Sequence, residues 1–170
     1  MKLTAQDQHP FAVVLSCIDS RTSAELIFDK GMGDLFSIRI AGNVLNDDIL
    51  GSMEFACNVV GSKLIVVLGH TKCGAVKGAC DCVEMGHLTG LVRKIKPAVD
   101  SIAQKLNVKS SSSNAIFVEE VADLNVQLVA KEITAKSEII RSLVEQKKIM
   151  IVGGMYNVEN GEVNFHESNN

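Results

Sequence analysis

Three residues could do chemistry that the rest of this chain must position. His70 and Cys73 stand three apart in Gly69-His70-Thr71-Lys72-Cys73-Gly74, directly after Lys63-Leu64-Ile65-Val66-Val67-Leu68. Cys17 closes a second apolar run, Phe11-Ala12-Val13-Val14-Leu15-Ser16-Cys17. Imidazole nitrogen and thiolate sulfur suit a borderline-soft metal, zinc above all. Three protein ligands with a fourth position open is the pattern of a catalytic zinc, whereas a structural site is closed by four. Asp19 and Arg21 follow Cys17 at alternate positions. In extended chain, side chains two apart point the same way, so Cys17, Asp19 and Arg21 project toward one place. Each residue alone has a plainer reading. A buried cysteine is usually a small apolar residue, a loop histidine is usually hydrogen-bonded locally, and Asp19 with Arg21 makes an ordinary salt bridge. Their joint placement after two strands favours the metal.

The elements that carry these residues follow from hydrophobic patterning. The runs at 11–17 and 63–68 are short, apolar and rich in β-branched residues, which reads as buried strands. A third strand is expected over Asp34–Ile40, leading into Ala41-Gly42-Asn43, and a last central strand over Ile149–Tyr156. Between them, Thr22 or Ser23 can cap a short helix reaching about Lys30. Asn46 or Asp47 can cap another, in which Ile49, Met53, Ala56 and Val60 share one face and Gly61 is the stop. The resulting β-α-β-α-β order predicts a mainly parallel sheet with right-handed crossovers. Ligands bind at the carboxyl ends of strands in such sheets, where His70 and Cys73 are expected in a loop. Beyond them, helices are expected over 74–85 with Gly86 as a stop, over 88–106 with an interruption at Pro97, over 118–134 and over 137–146. Val163-Asn164-Phe165 reads as an antiparallel hairpin edge strand after Glu159-Asn160-Gly161.

Composition excludes several classes. At 170 residues, with 46% apolar and 22% charged residues, the chain reads as one globular domain over 1–170. A net charge of -3 without a Lys/Arg block argues against nucleic acid as a partner. No apolar run approaches the ~20 residues of a membrane span, and the first residues lack a signal-peptide pattern. The five cysteines are an odd number, which argues against a disulfide framework and for a reducing compartment, the cytoplasm. A mean hydropathy of +0.19 hints at apolar surface covered in an oligomer. Cys57 is expected in the core, Cys80 and Cys82 on different sides of a helix with no second metal site, and His9, His87 and His166 at the surface.

The motifs Cys17-x-Asp19-x-Arg21, Arg39-x-Ala41-Gly42-Asn43, Ser52-x-Glu54-Phe55-Ala56 and Gly69-His70-Thr71-Lys72-Cys73-Gly74-Ala75 resemble those of the β-class carbonic anhydrases. Asn125-Val126 and Gly154-Met155-Tyr156-Asn157 are similar too, and the likeness runs from about Phe11 to Phe165. The resemblance implies an α/β fold with a mostly parallel central sheet flanked by helices and a C-terminal antiparallel edge strand. It implies Zn2+ held by Cys17, His70 and Cys73, and reversible hydration of carbon dioxide to bicarbonate and a proton. It also implies that Asp19 either takes the fourth zinc position or pairs with Arg21 and leaves that position to water, and that the chain forms a homodimer or higher homo-oligomer. Main-chain groups near Gly74 are candidates to place substrate. Two departures stand out. The N-terminal helical arm of many members is nearly absent, and the tryptophan of the regulatory bicarbonate pocket in some bacterial members is Val14 here. Two other readings are hydrolysis of carbon disulfide or carbonyl sulfide by the same chemistry, and a non-catalytic zinc- or bicarbonate-binding module. The second has no use for Asp19 and Arg21.

Overall fold

The computed structural model describes residues 5–166; the ends of the expected 1–170 domain lie outside them. Five strands, β1 (Ala12–Ser16), β2 (Leu35–Arg39), β3 (Leu64–His70), β4 (Met150–Tyr156) and β5 (Val163–Phe165), form one sheet in the order β2-β1-β3-β4-β5. All neighbours are parallel except β4 and β5, which are antiparallel. Every residue of β1 is buried. Its apolar run has no polar alternation because both faces of the strand are covered, as parallel strands require.

Side-chain alternation assigns the two faces. Val13 and Leu15 pack with Ile65 and Val67 against α2 (Asp47–Glu54), α6 (Ala115–Lys136) and α7 (Glu138–Glu145). Val14 packs on the opposite face with Val66, Leu68 and Ala24 of α1 (Ala24–Ile27). A further apolar cluster joins α6 to α3 (Gly74–Cys80), α4 (Gly86–Val92) and α5 (Lys96–Leu106), and it includes Cys17 and Cys73. Ser16 of β1 lies beside Leu68 of β3 in the register, so Cys17 and His70 reach the carboxyl edge of the sheet next to each other. No helix among the described residues is long and apolar enough to cross a membrane.

Several boundaries differ from the patterning, each for a local reason. His70 is the last residue of β3 rather than a loop residue, paired with Tyr156 of β4. The helix expected over 74–85 ends at Cys80, where Cys82 turns left-handed with φ 53. There the Cys82 N–H bonds Ala79 O and the Val83 N–H bonds Gly78 O, closing the helix end. Gly86 therefore opens α4 instead of stopping α3. Pro97 lies in the first turn of α5, where its missing N–H has no partner to lose, so it starts a helix rather than interrupting one. α2 passes into a π-helical turn over Phe55–Val60, and Gly61 closes it at φ 97. α6 begins before the expected Val118 because Asn114 Oδ1 accepts the Phe117 N–H at 3.1 Å. Asn46 caps α2 as expected, accepting the Ile49 N–H at 2.8 Å.

Candidate metal centre

Cys17, His70 and Cys73 come together, with their ligand atoms all within 4.8 Å of one another and all three side chains buried. The two sulfurs are 4.0 Å apart. His70 Nδ1 lies 2.9 Å from Thr71 O. A carbonyl can only accept, so Nδ1 carries a proton, and in the neutral ring Nε2 keeps its lone pair. That Nε2 is buried and has no hydrogen-bond partner. Such an atom is costly in a folded interior unless something else binds it. The donor set fits zinc: two sulfurs and a bare imidazole nitrogen converge, and His70 Nδ1 makes the outer hydrogen bond typical of a metal-binding histidine.

The electrostatics of the two sulfurs fit the same ion. The two sulfurs share a hydrogen bond, and together with the Gly42 N–H at 3.3 Å this lowers Cys17 against the opposing effect of burial. Cys73 is pushed up in turn, first by that shared hydrogen bond and then by burial. The two buried sulfurs are close enough to share a proton, and a divalent cation would replace it.

Asp19 and Arg21 stand beside the cluster as expected, but through a turn and not through extended chain: the Thr22 N–H closes onto Asp19 O at 3.0 Å. Arg21 donates from Nε to Asp19 Oδ1 at 2.9 Å and from Nη2 to Oδ2 at 2.7 Å, a fork-to-fork pair. The Arg21 main-chain N–H adds a third bond to Oδ1 at 3.0 Å. These hydrogen bonds hold the Asp19 carboxyl below the usual carboxylate range. Asp19 Oδ2 is 4.0 Å from His70 Nε2. With Nε2 unprotonated this is no ion pair, but it sets the carboxylate at the edge of the cluster. Gly74 is the first residue of α3, directly after Cys73, with open space where a Cβ would point.

Several residues that hold this site carried no role in the sequence reading. Arg39, at the end of β2, donates from Nε to Cys17 O at 3.0 Å and from Nη2 to Asp19 O at 2.6 Å, pinning the turn that bears both residues. Thr22 does not cap α1; its hydroxyl donates to the same two carbonyls at 3.0 and 2.9 Å. Glu119 of α6 accepts the Lys72 N–H at 2.8 Å and steadies a residue held at φ 58 between His70 and Cys73. The available signal was a charged or hydroxyl residue at a strand end or beside a ligand, which marks a candidate but not its partner. Among the remaining cysteines, Cys57 and Cys80 are buried and Cys82 is exposed, and all are free. His9 and His87 are exposed, while His166 is half-buried with Nε2 2.7 Å from Asp123 Oδ1.

Comparison with known proteins agrees with this geometry. The family model described as carbonic anhydrase matches residues 12–163. The chain is 38% identical over 159 residues to a carbonic anhydrase of Mycolicibacterium smegmatis, covering 93% of this chain and 75% of that protein. It is 25% identical over 147 residues to a carbon disulfide hydrolase of Acidianus, covering 86% of this chain and 72% of the other. Among solved structures, the β-carbonic anhydrase CafA of Aspergillus fumigatus superposes with a TM-score of 0.88 at 28% identity, over 98% of this chain and 79% of that one.

Proposed function

We propose, from the premise that this chain belongs to the β-class carbonic anhydrase family, how its own residues carry the family's reaction. The chain is a zinc-dependent carbonic anhydrase, a lyase that reversibly hydrates carbon dioxide to bicarbonate and a proton. In our reading Cys17, His70 and Cys73 hold the zinc. The observation that carries it is the buried, partnerless lone pair of His70 Nε2 facing two thiols. A zinc ion held there would lower the pKa of a bound water, less than in carbonic anhydrases with three histidines, because two thiolates would offset its charge.

The remaining work falls to the protein. Arg21 holds Asp19 through the paired hydrogen bonds, so Asp19 Oδ2 stays at the edge of the cluster. There it accepts a hydrogen bond from the attacking water and turns the oxygen lone pair toward the substrate carbon. The water oxygen bonds to that carbon as one C=O π bond opens onto its oxygen, one water proton passes to solvent, and bicarbonate departs. Arg39 and Thr22 keep the Cys17–Asp19 turn in place during this exchange. The open space at Gly74 leaves room for substrate beside the first turn of α3.

The chain acts in this reading as a homodimer or higher homo-oligomer. Support comes from exposed apolar residues, Phe55 and Val59, on the π-helical turn, with Phe55 stacked edge-on against Phe36 of the edge strand β2. The five free thiols suit the reducing cytoplasm. Zinc content and carbon dioxide hydration measured on one sample test the function, with carbon disulfide and carbonyl sulfide assayed beside carbon dioxide. Stoichiometric zinc with carbon dioxide turnover is expected. Turnover of a sulfur analogue alone, or zinc without any turnover, would replace this reading with one of the other two.

A further inference from the structure

We propose that Asn125 of α6 is a positioning residue for the metal-binding sulfur of Cys17, acting through the main chain of Gly42; this rests on the zinc reading above. The buried residues of α6 nearest it are Val121, Ala122, Val126 and Val129. Asn125 is the one polar residue among the buried residues of this helix, only 3% exposed. An amide there is more costly than an aliphatic side chain unless it has a specific partner. Its partner is Gly42: Asn125 Nδ2 donates to Gly42 O at 3.0 Å. The N–H of the same glycine donates to Cys17 Sγ at 3.3 Å.

Gly42 has little freedom to make these two bonds by itself. It sits at φ 67, and a Cβ there would come within 2.7 Å of Ile95 Cδ1 and 3.2 Å of the Ala75 side chain. The turn Ala41–Asn43 is therefore walled on one side by Ile95 and tethered on the other by Asn125. Rotating the Gly42 peptides would break the Asn125 bond and turn the N–H away from the sulfur. An N–H donor on a thiolate draws charge from sulfur, so it moderates how strongly Cys17 donates to a metal and fixes where the sulfur lone pairs point. Asn125 thus links the helix that packs across the sheet to one ligand of the metal.

The test uses the full chain loaded with zinc or with cobalt(II) as a spectroscopic substitute. Zinc affinity is measured by chelator competition, and the sulfur-to-cobalt charge-transfer band is recorded. Asn125→Leu removes the donor at similar size, and Asn125→Asp keeps the shape while replacing the donor with an acceptor. Whichever of them folds should bind zinc about 10- to 100-fold more weakly, because the Gly42 turn no longer holds the Cys17 sulfur in place and this loss outweighs its gain in charge; that gain should move the charge-transfer band to lower energy. Val129→Ala, a core truncation on the same helix, should lose stability but keep the parent affinity and spectrum. A measurement on the parent needs no variant: with a magnetic cadmium isotope in the site, the Gly42 amide proton should show coupling to the metal across the N–H···S bond. Parent-like affinity and band in a folded Asn125 variant, or no such coupling in the parent, overturn this inference alone. A parent that takes up neither zinc nor cobalt overturns the zinc reading with it.

Discussion

Two pairs of buried cysteines differ in almost everything except burial. Cys17 and Cys73 are 4% and 1% exposed, and Cys57 and Cys80 are 5% and 1%. Yet within the first pair a shared hydrogen bond lowers Cys17 and raises Cys73, while Cys57 and Cys80, with no such partner, are each pushed up to about 11 by burial. Depth is therefore not what prepares a thiol for a metal. Burial alone raises a thiol, since it disfavours the charged form. Cys17 escapes because a second sulfur and a main-chain N–H converge on its sulfur at the end of β1. Cys57 lies in the π-helical turn against the sheet, and Cys80 lies at the far end of α3 from Cys73. Neither sits at the carboxyl edge where two strands deliver side chains to one point.

The most severe break of this comparison replaces one cysteine in each pair. Cys73→Ser should lose zinc and reduce carbon dioxide hydration to near background, because two protein ligands do not hold the metal. Cys57→Ala should retain stoichiometric zinc and parent activity and lose about 1 kcal/mol of stability as an ordinary core truncation. Zinc analysis, hydration rate and urea unfolding on both variants decide it. Equal zinc content in the two variants would mean that convergence at the sheet edge is not what distinguishes the sulfurs.

The same contrast explains what the sequence made legible. Cys17, His70 and Cys73 were readable because each follows an apolar run, and strand ends in a parallel sheet meet at one edge. Asp19 and Arg21 were readable as neighbours of Cys17, but the extended chain assumed for them is a turn closed by the Thr22 N–H on Asp19 O. The parallel sheet and its antiparallel edge strand followed from the order of the runs. What escaped was non-local or concerned helix ends. Gly86 and Pro97 mark boundaries by type, but whether each starts or stops a helix depends on how the preceding turn closes, here through the left-handed Cys82. Asn125 and Arg39 reach across the fold to main-chain oxygens of Gly42, Cys17 and Asp19, and no spacing in the chain encodes such a meeting.

A less severe break leaves every ligand in place and removes the neighbour. Asp19→Ala should keep full zinc but lower kcat/KM by roughly 10²-fold, the scale of a lost orienting contact. The carboxylate aims the water and contributes nothing to holding the cluster together in this reading. For the parent, activity should rise with pH and plateau above neutrality, since two thiolates leave the bound water only moderately acidic. Parent-like rates for Asp19→Ala across that range would reduce the carboxylate to a salt-bridge partner.

The smallest expected effect concerns that salt bridge without any metal. Arg21 holds the Asp19 carboxyl below its usual range, chiefly through the side-chain hydrogen bonds. The unfolded chain then binds the proton more readily than the folded one, so stability from this pair falls as the solution is acidified. The contribution is fully present above the ordinary aspartate value, about 4, and is lost as pH falls toward the depressed folded value. The Arg21 side chain is 48% exposed, so solvent screening keeps the effect small. Arg21→Ala should therefore unfold at lower urea than the parent when both are stripped of metal at pH 7, and the gap should close as the pH drops well below 4. Zinc content of the loaded variant should match the parent, because Arg21 touches no ligand atom in the hydrogen-bond network around Cys17, His70 and Cys73. A gap of the same size at low and neutral pH would show that Arg21 acts through packing of its stem, leaving Asp19 to be held by its own turn.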